Sequence, residues 1–242
     1  MTAPSDPRSD LSFLVGIDAV CFDAFGTLVE IGDRRRPLRP VLRCLDRDGR
    51  RALVHAVLRS ERPLEALLAG QRGTGGSGAG KGPSGRLRIV PDAPAAPQAP
   101  VLPPDVLAAY REALAAELAS VRLRPGVQGL WEALRGRGLL IGVCSNLAAP
   151  YGPPLLACLP DRPDAVVLSY EVGAAKPEPA IYRAVCERFG AALAGGEPGL
   201  MVHPSRVLFV GDTPSADVDG PRGHGMRAMP IGEFEAAMAR AG

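Results

Sequence analysis

The sequence lacks the features that mark a membrane protein or a disulfide-bonded secreted protein. Nowhere do eighteen apolar residues run together, and the first fifteen residues contain acids and prolines but no long apolar stretch. A helix that spans a bilayer needs about 17 to 25 apolar residues, so no spanning helix is predicted. The five cysteines are odd in number and form no CxxC pair, which favours reduced, buried thiols. We expect a cytoplasmic protein.

The chain also lacks an excess of charge of either sign. Its 242 residues include 28 basic and 26 acidic ones, for a formal net charge of +2. Proteins that bind nucleic acids or anionic membrane surfaces concentrate positive charge. The balanced composition therefore favours a small-molecule partner, with neither nucleic acid nor membrane, and it leaves the oligomeric state open.

Lysine, asparagine and threonine are scarce, which makes their positions informative. Of the 28 basic residues only Lys81 and Lys176 are lysines, and Asn146 is the only asparagine. The four threonines are Thr2, Thr27, Thr74 and Thr213. A compact ammonium differs in its chemistry from a planar guanidinium. A lysine in such an arginine-rich chain is therefore present either by chance or for its chemistry, and we interpret Lys81 as a solvated residue.

Short apolar runs that alternate with helical patterns predict an α/β fold. The runs cover residues 17–23, 139–146, 165–173 and 206–212, with a fifth candidate at 227–231. Helical patterns at 126–137 and 179–190 lie between them. Strands that alternate with helices pair in parallel and are covered by helices on both faces of the sheet. The sequence thus predicts a doubly wound parallel sheet.

Residues 34–121 differ from this pattern and are predicted to be an insertion. Helical patterns at 40–68 and 104–121 flank a segment, about 70–103, that is rich in glycine, proline and alanine. Such a composition cannot bury enough apolar surface to fold, so we expect this segment to be disordered. The predicted core then consists of residues 1–33 and 122–242.

Polar residues cluster where the predicted strands end. Asp23, Ser145 and Asp212 each stand at or just past a carboxyl end, which is where open parallel sheets bind ligands. Taken singly, each cluster could be an ordinary turn or helix cap. However, these clusters contain the only asparagine and two of the four threonines, Thr27 and Thr213. A further polar cluster, at 174–179, contains Lys176, one of the two lysines. That concentration favours a functional site.

Four clusters, taken in order, resemble the four motifs of the haloacid dehalogenase superfamily. They are FDAFGTL with Asp23, VCSN with Ser145, AAKPEP with Lys176, and VGDTPSAD with Asp212 and Asp217. The insertion resembles the helical cap that this family places after its first motif. The resemblance implies a Rossmann-like hydrolase core with an inserted α-helical cap domain. It further implies hydrolysis of a small phosphorylated metabolite.

The resemblance also implies a metal site and a nucleophile. Asp23 would attack the substrate and form a covalent aspartyl intermediate. Mg²⁺ would be held by Asp23, Asp212, Asp217 and the backbone carbonyl of Phe25, with Asp219 as the alternative to Asp217. A carboxylate can approach an anionic substrate only if cations offset the repulsion, and carboxylates are suitable magnesium ligands.

Four further residues complete the implied catalytic set. Lys176 supplies a point charge, and Thr27 and Ser145 offer hydroxyls to the oxygens of a transferring phosphoryl group. Asn146, next to Ser145, is the fourth residue of this set. The three histidines are isolated and match no ligand pattern.

Phe25 departs from the phosphatase pattern. Phosphatases of this family carry a second aspartate at this position, which protonates the leaving group and then activates water. Such proton transfer is typically worth a factor of roughly 100 to 10,000. The haloacid dehalogenases themselves carry an aromatic here, because a halide needs no proton, and they need no metal. The two acids of VGDTPSAD instead favour a magnesium-dependent phosphohydrolase. A 2-haloacid dehalogenase and a catalytically decayed binding protein are the alternatives.

Overall fold

The computed structural model describes residues 7–70, 102–195 and 199–241. The strands are β1 (Ala19–Phe22), β2 (Val29–Ile31), β3 (Val121–Leu123), β4 (Leu140–Ser145), β5 (Ala165–Leu168), β6 (Val207–Gly211) and β7 (Arg227–Pro230). The α-helices are α1 (Leu38–Arg43), α2 (Arg47–Val57), α3 (Leu64–Gly70), α4 (Pro104–Ala119), α5 (Val127–Arg135), α6 (Gly152–Ala157), α7 (Ser169–Val172), α8 (Pro179–Leu193), α9 (Gly220–Gly223) and α10 (Ile231–Arg240). Short 3₁₀ segments cover Pro7–Leu14, Ala149–Tyr151 and Pro204–Arg206, and Pro214–Asp219 forms a π-helical turn.

Five strands form one parallel sheet in the order β5-β4-β1-β6-β7. The central strand β1 is completely buried, and alternate residues contribute to two hydrophobic clusters. Val20 and Phe22 belong to one cluster, and Ala19 and Cys21 belong to the other. Because successive side chains of a strand point to opposite faces, both faces of the sheet are covered. The predicted doubly wound parallel sheet is confirmed.

The predicted strand at 165–173 is wrong beyond Leu168. The chain turns at that point into the short helix α7, which ends at Gly173 in the left-handed region. The buried Ser169 explains the turn, because its Oγ accepts a hydrogen bond from Leu147 N–H at 3.1 Å and donates one to Leu147 C=O at 3.3 Å. These bonds tie the chain to the loop after β4 instead of to the sheet.

The chain between β2 and β3 forms a helical insertion. These two strands pair with each other antiparallel, so the insertion leaves and re-enters at one place. Helices α1 to α4 share a hydrophobic cluster of their own, with the following buried members: Val41, Leu45, Leu53, Val57, Leu64, Leu67, Leu68 and Leu102. The predicted segment 70–103 lies outside the described residues except at its two ends.

Two helical patterns were predicted in this insertion, with different outcomes. The pattern at 104–121 is confirmed as α4, although β3 begins at Val121. The pattern at 40–68 is three helices instead of one. Asp46 begins α2 by accepting a hydrogen bond from Gly49 N–H at 2.7 Å, which interrupts the helix before it.

The cysteines are free thiols, and the prediction that they are buried holds for three of the five. Cys21, Cys144 and Cys186 are buried, and Cys44 and Cys158 are half-buried. Among the described residues no helix is both long and apolar enough to cross a membrane.

Candidate active site

Three neighbouring strands bring the predicted polar residues together. Asp23 follows β1, Ser145 ends β4, and Asp212 follows β6. Because β1 lies between β4 and β6 and all three are parallel, their carboxyl ends meet at one edge of the sheet. The side chains of Lys176 and Asp217 reach the same edge from the loop after α7 and from the π-helical turn.

Lys176 is the centre of the polar cluster. Its Nζ donates hydrogen bonds to Asp23 Oδ1 and Asp217 Oδ1, both at 2.7 Å. Its side chain is only 2% exposed. Burial opposes the positive charge, but the carboxylates of Asp23 and Asp217 outweigh it and raise the pKa of Lys176 above its ordinary value. The lysine is therefore a fixed, buried cation.

Asp23 is held on one oxygen by two donors. Its Oδ1 accepts from Lys176 Nζ and, at 3.1 Å, from Ser145 Oγ. Burial raises the pKa of Asp23; Lys176 opposes that shift, and the charge of Asp217 adds to it. A further cation at the site would favour the ionised form, which is the form that can attack a substrate.

Three carboxylates form a group that could bind a metal ion. One oxygen from each of Asp23, Asp212 and Asp217 lies within 4.8 Å of the other two. Asp217 is buried, and its Oδ2 accepts a hydrogen bond from Thr213 N–H at 2.9 Å. Asp212 is exposed and therefore accessible to an ion from solvent. Asp219 is not a member of this group.

Two glycines allow the carboxylates to approach the backbone this closely. Gly26 has a φ of +92°, and a Cβ there would lie 2.0 Å from Asp212 Oδ2. A Cβ on Gly211 would lie 2.4 Å from the carboxylate carbon of Asp217. Real Cβ contacts are never this short, so any larger residue would displace one of the acids. This explains the glycines of FGT and VGD.

Asn146 contacts the backbone of Lys176. Its Nδ2 donates to Lys176 C=O at 2.8 Å, and its Oδ1 accepts from Lys176 N–H at 2.7 Å. Both ends of the amide thus bond to the backbone of Lys176. Thr27 is completely buried, and its Oγ1 has no hydrogen-bond partner among the described residues. A buried hydroxyl without a partner costs about 1–3 kcal/mol.

A cavity of ≈790 Å³ adjoins this cluster, between the sheet edge and the insertion. Phe25 and Asn146 line its core side; Phe25 follows Asp23 by two residues, and Asn146 contacts the backbone of Lys176. The size is within the roughly 300–1,000 Å³ of ligand sites. Phe25, the residue that departs from the phosphatase pattern, is therefore part of the cavity wall.

A chain of contacts links Phe25 to the insertion, and no pattern in the sequence indicated it. The Phe25 ring packs edge-on against Tyr151 at 5.8 Å between centroids. Tyr151 OH donates to Glu117 Oε2 at 2.5 Å, and Glu117 Oε1 accepts from Arg36 N–H. Burial, followed by the hydrogen bond to Glu117 and the charge of Glu117, raises the pKa of Tyr151, so its hydroxyl stays protonated. Glu117 is 3% exposed and is thus a buried charged residue of α4.

The insertion contributes all of the charged residues on the cavity wall. The charged residues that line it are Arg34, Arg36, Arg39, Arg43, Arg50 and Glu117. None was singled out from the sequence, because arginine is abundant along the whole chain.

Comparison with known proteins gives one family and one curated relative. A model of haloacid dehalogenase-like hydrolases matches residues 17–225. A protein named phosphatase MT3486, from Mycobacterium tuberculosis, is 36% identical over 111 residues. That match covers 44% of this chain and 45% of the relative, so the chain spans less than half of that protein.

Solved structures of low sequence identity share the fold. An enzyme of the same family from Bacteroides thetaiotaomicron has a TM-score of 0.53 at 16% identity, over 89% of this chain and 93% of its own. CbbY from Rhodobacter sphaeroides, solved in complex with phosphate, has a TM-score of 0.50 at 21% identity, over 88% and 85%. A predicted phosphoglycolate phosphatase from Haemophilus somnus has a TM-score of 0.51 at 18% identity, over 88% and 84%.

Proposed function

The chain belongs to the haloacid dehalogenase-like hydrolase family, and on that basis we propose that it is a magnesium-dependent phosphohydrolase with Asp23 as the nucleophile. Its substrate would be a small phosphorylated metabolite. One observation carries this proposal: Lys176 bridges Asp23 and Asp217 beside the exposed Asp212. The name of the curated relative and the phosphate bound to CbbY agree with it.

The donor set fits a hard divalent cation. All three candidate ligands are carboxylates, the oxygen ligands that Mg²⁺ prefers, and one of them faces solvent. Three carboxylates and one ammonium carry a net charge of −3 + 1 = −2. A divalent cation would balance that charge, whereas three acids without it would repel an anionic substrate. We propose Asp23, Asp212, Asp217 and the Phe25 carbonyl as its ligands.

Bound Mg²⁺ would offset the charge of the phosphoryl group. In the proposed reaction a carboxylate oxygen of Asp23 attacks phosphorus, the bond to the leaving oxygen breaks, and water then hydrolyses the aspartyl phosphate. Lys176 keeps Asp23 in place and neutralises part of the charge that develops. Ser145 Oγ and the unpartnered Thr27 hydroxyl are the candidate donors to phosphoryl oxygens. Asn146 holds Lys176 in position.

Phe25 restricts the leaving group. A phenyl ring can neither donate a proton to a departing alkoxide nor accept one from the attacking water. The ring is instead packed against Tyr151 in the cavity wall. We therefore expect aryl and acyl phosphates, whose leaving groups need no proton, to react much faster than alkyl phosphates.

The same residue favours a second candidate, a 2-haloacid dehalogenase. Displacement of a halide by Asp23 needs no acid at position 25, and an aromatic wall suits a halogenated carbon. The acids at 212 and 217 have no purpose in that reaction, and for this reason we rank it second.

Product analysis separates the two candidates. The protein is incubated with an aryl phosphate or a 2-haloacid, with Mg²⁺ or with a chelator, and phosphate and halide are measured. We expect phosphate release that the chelator abolishes. Halide release that resists the chelator would replace the first proposal with the second. Asp23→Asn serves as the control for turnover by a contaminating enzyme.

A further inference from the structure

The cavity that Phe25 and Asn146 line has a strong excess of positive charge. Five arginines and one glutamate line it, which gives a net charge of +5 − 1 = +4. The glutamate, Glu117, already accepts hydrogen bonds from Tyr151 and from the backbone of Arg36. The positive charge of the wall is therefore not balanced by the wall itself, although the chain as a whole is nearly neutral.

Of the five arginines, only Arg50 has a guanidinium group that bonds to the protein in the described ranges. Arg50 Nε donates to the carbonyls of Leu42 and Leu45, at 2.8 and 3.1 Å, and so fixes the turn between α1 and α2. The guanidinium groups of the other four pair with no carboxylate in the described ranges. These four are Arg34, Arg36, Arg39 and Arg43.

A neighbouring arginine outside the cavity shows the contrast. Arg35 pairs with Asp33 at 2.7 Å and does not line the cavity. Its two sequence neighbours, Arg34 and Arg36, line the cavity without such a pair. Unpaired arginines in this segment are thus found on the cavity side.

Three of the arginines, Arg36, Arg39 and Arg43, line the cavity from the start of the insertion. Arg39 and Arg43 lie four residues apart on α1, and Arg36 precedes that helix. Residues four apart are neighbours on a helical surface, where like charges repel and destabilise the helix. No acidic residue in the first turn of α1 relieves the repulsion. A bound anion would relieve it.

The backbone of Arg36 is held in an unusual conformation by buried contacts. Its φ of 57° lies in the left-handed region, which a residue with a Cβ rarely adopts. The hydrogen bond from Arg36 N–H to Glu117 holds this turn, and Glu117 is linked through Tyr151 to Phe25. The arginine segment is therefore linked to Phe25, two residues after Asp23.

We infer that Arg36, Arg39 and Arg43 form a second anion site, which binds a carboxylate or phosphate group on the leaving part of the substrate. The inference rests on the proposed function, because that function places the transferred phosphoryl group at Asp23. Guanidinium groups bind both anions through paired, charge-assisted hydrogen bonds. The substrate class is then a phosphate ester that carries a second anionic group.

A matched set of aryl phosphates tests the inference. The probes are 4-(carboxymethyl)phenyl phosphate, its methyl ester, and 4-(phosphonomethyl)phenyl phosphate. The methylene separates the tail from the ring, so the leaving groups are nearly equal and only the tail charge differs. The readout is the ratio of kcat/KM for each anionic probe to that of the methyl ester, which cancels general losses of activity. Comparison of the two anionic probes distinguishes a carboxylate from a phosphate.

We expect a ratio of roughly tenfold or more for at least one anionic probe, from the strength of hydrogen bonds between charged groups. The double variant Arg39→Gln/Arg43→Gln should bring this ratio close to one. Arg51→Gln is the matched control, because Arg51 is an exposed arginine of α2 that does not line the cavity. It should keep the wild-type ratio.

The outcomes separate the inference from the proposed function. If the wild type hydrolyses the methyl ester but shows a ratio near one, the second anion site is wrong and the phosphohydrolase stands. The same conclusion follows if the double variant keeps the wild-type ratio. If no probe is hydrolysed with Mg²⁺, the proposed function fails, and the inference that rests on it fails too.

Discussion

The sheet edge and the insertion differ in how their charged groups are satisfied. At the sheet edge Lys176 contacts two carboxylates at 2.7 Å, and its backbone is fixed by both ends of Asn146. On the cavity wall Arg39 and Arg43 are exposed, and in the described part of the chain no carboxylate pairs with them. The first region is organised before a substrate arrives. We propose that the substrate completes the second region, so that the chemistry depends on the sheet edge and the selectivity on the insertion.

The largest expected effect is that of Asp23→Asn at the sheet edge. The amide keeps the shape of the side chain but is not a nucleophile, so phosphate release should fall by roughly 10⁴-fold or more. Steady-state kinetics with an aryl phosphate measures it, and a melting curve shows that the fold is intact. Turnover near that of the wild type would rule out Asp23 as the nucleophile.

Lys176→Arg should have the next largest effect. The ammonium occupies a site with 2% exposure between two carboxylates, and a planar guanidinium does not fit there without moving them. We expect kcat to fall by roughly 100-fold, which is typical when one group that stabilises the transition state is displaced. Lys176→Met, which removes the charge at similar size, separates shape from charge. Full activity in Lys176→Arg would make this lysine structural.

Asn146→Ala tests positioning at the same edge. It removes two hydrogen bonds to the Lys176 backbone, each worth about 0.5–1.5 kcal/mol. Because Asn146 acts through Lys176, we expect kcat to fall about tenfold while KM changes little. A rise in KM at constant kcat would instead show that the amide binds the substrate.

Tyr151→Phe tests the hydrogen bond between Tyr151 and Glu117, which links the two regions. The variant keeps the ring that packs on Phe25 but leaves the buried Glu117 without its hydroxyl donor. We expect a loss of about 1–3 kcal/mol in the free energy of unfolding, measured with urea, and only a small change in kcat. Tyr110→Phe is the control, since Tyr110 lines the same cavity. Equal losses in both variants would mean that the hydrogen bond to Glu117 contributes nothing.

The two regions also differ in how far they could be predicted from sequence. The parallel sheet followed from short apolar runs, because a strand that is buried on both faces must be continuously apolar. The polar residues at the ends of β1, β4 and β6 were predictable, since parallel strands present those ends at one edge. The scarcity of lysine and asparagine also favours functional roles for Lys176 and Asn146.

The parts that could not be predicted depend on contacts between residues distant in sequence. Glu117 and Tyr151 are 34 residues apart, and nothing in the local pattern of either indicates their hydrogen bond. The turn at Ser169 depends on Leu147, which lies on another segment. The positions of the cavity arginines depend on how the insertion folds over the sheet, which periodicity alone does not determine.

The most direct test of the central claim is to trap the covalent intermediate on Asp23. Phe25 cannot activate water, so hydrolysis of the aspartyl phosphate should be slow and the intermediate should accumulate. A reaction with an aryl phosphate and Mg²⁺ is quenched in acid, and the peptides are analysed by mass spectrometry. We predict one phosphoryl group on the peptide that contains Asp23, absent in Asp23→Asn and absent with chelator. Phosphate release by the wild type with a phosphoryl group on another residue, or with labelling that persists in chelator, would contradict the account.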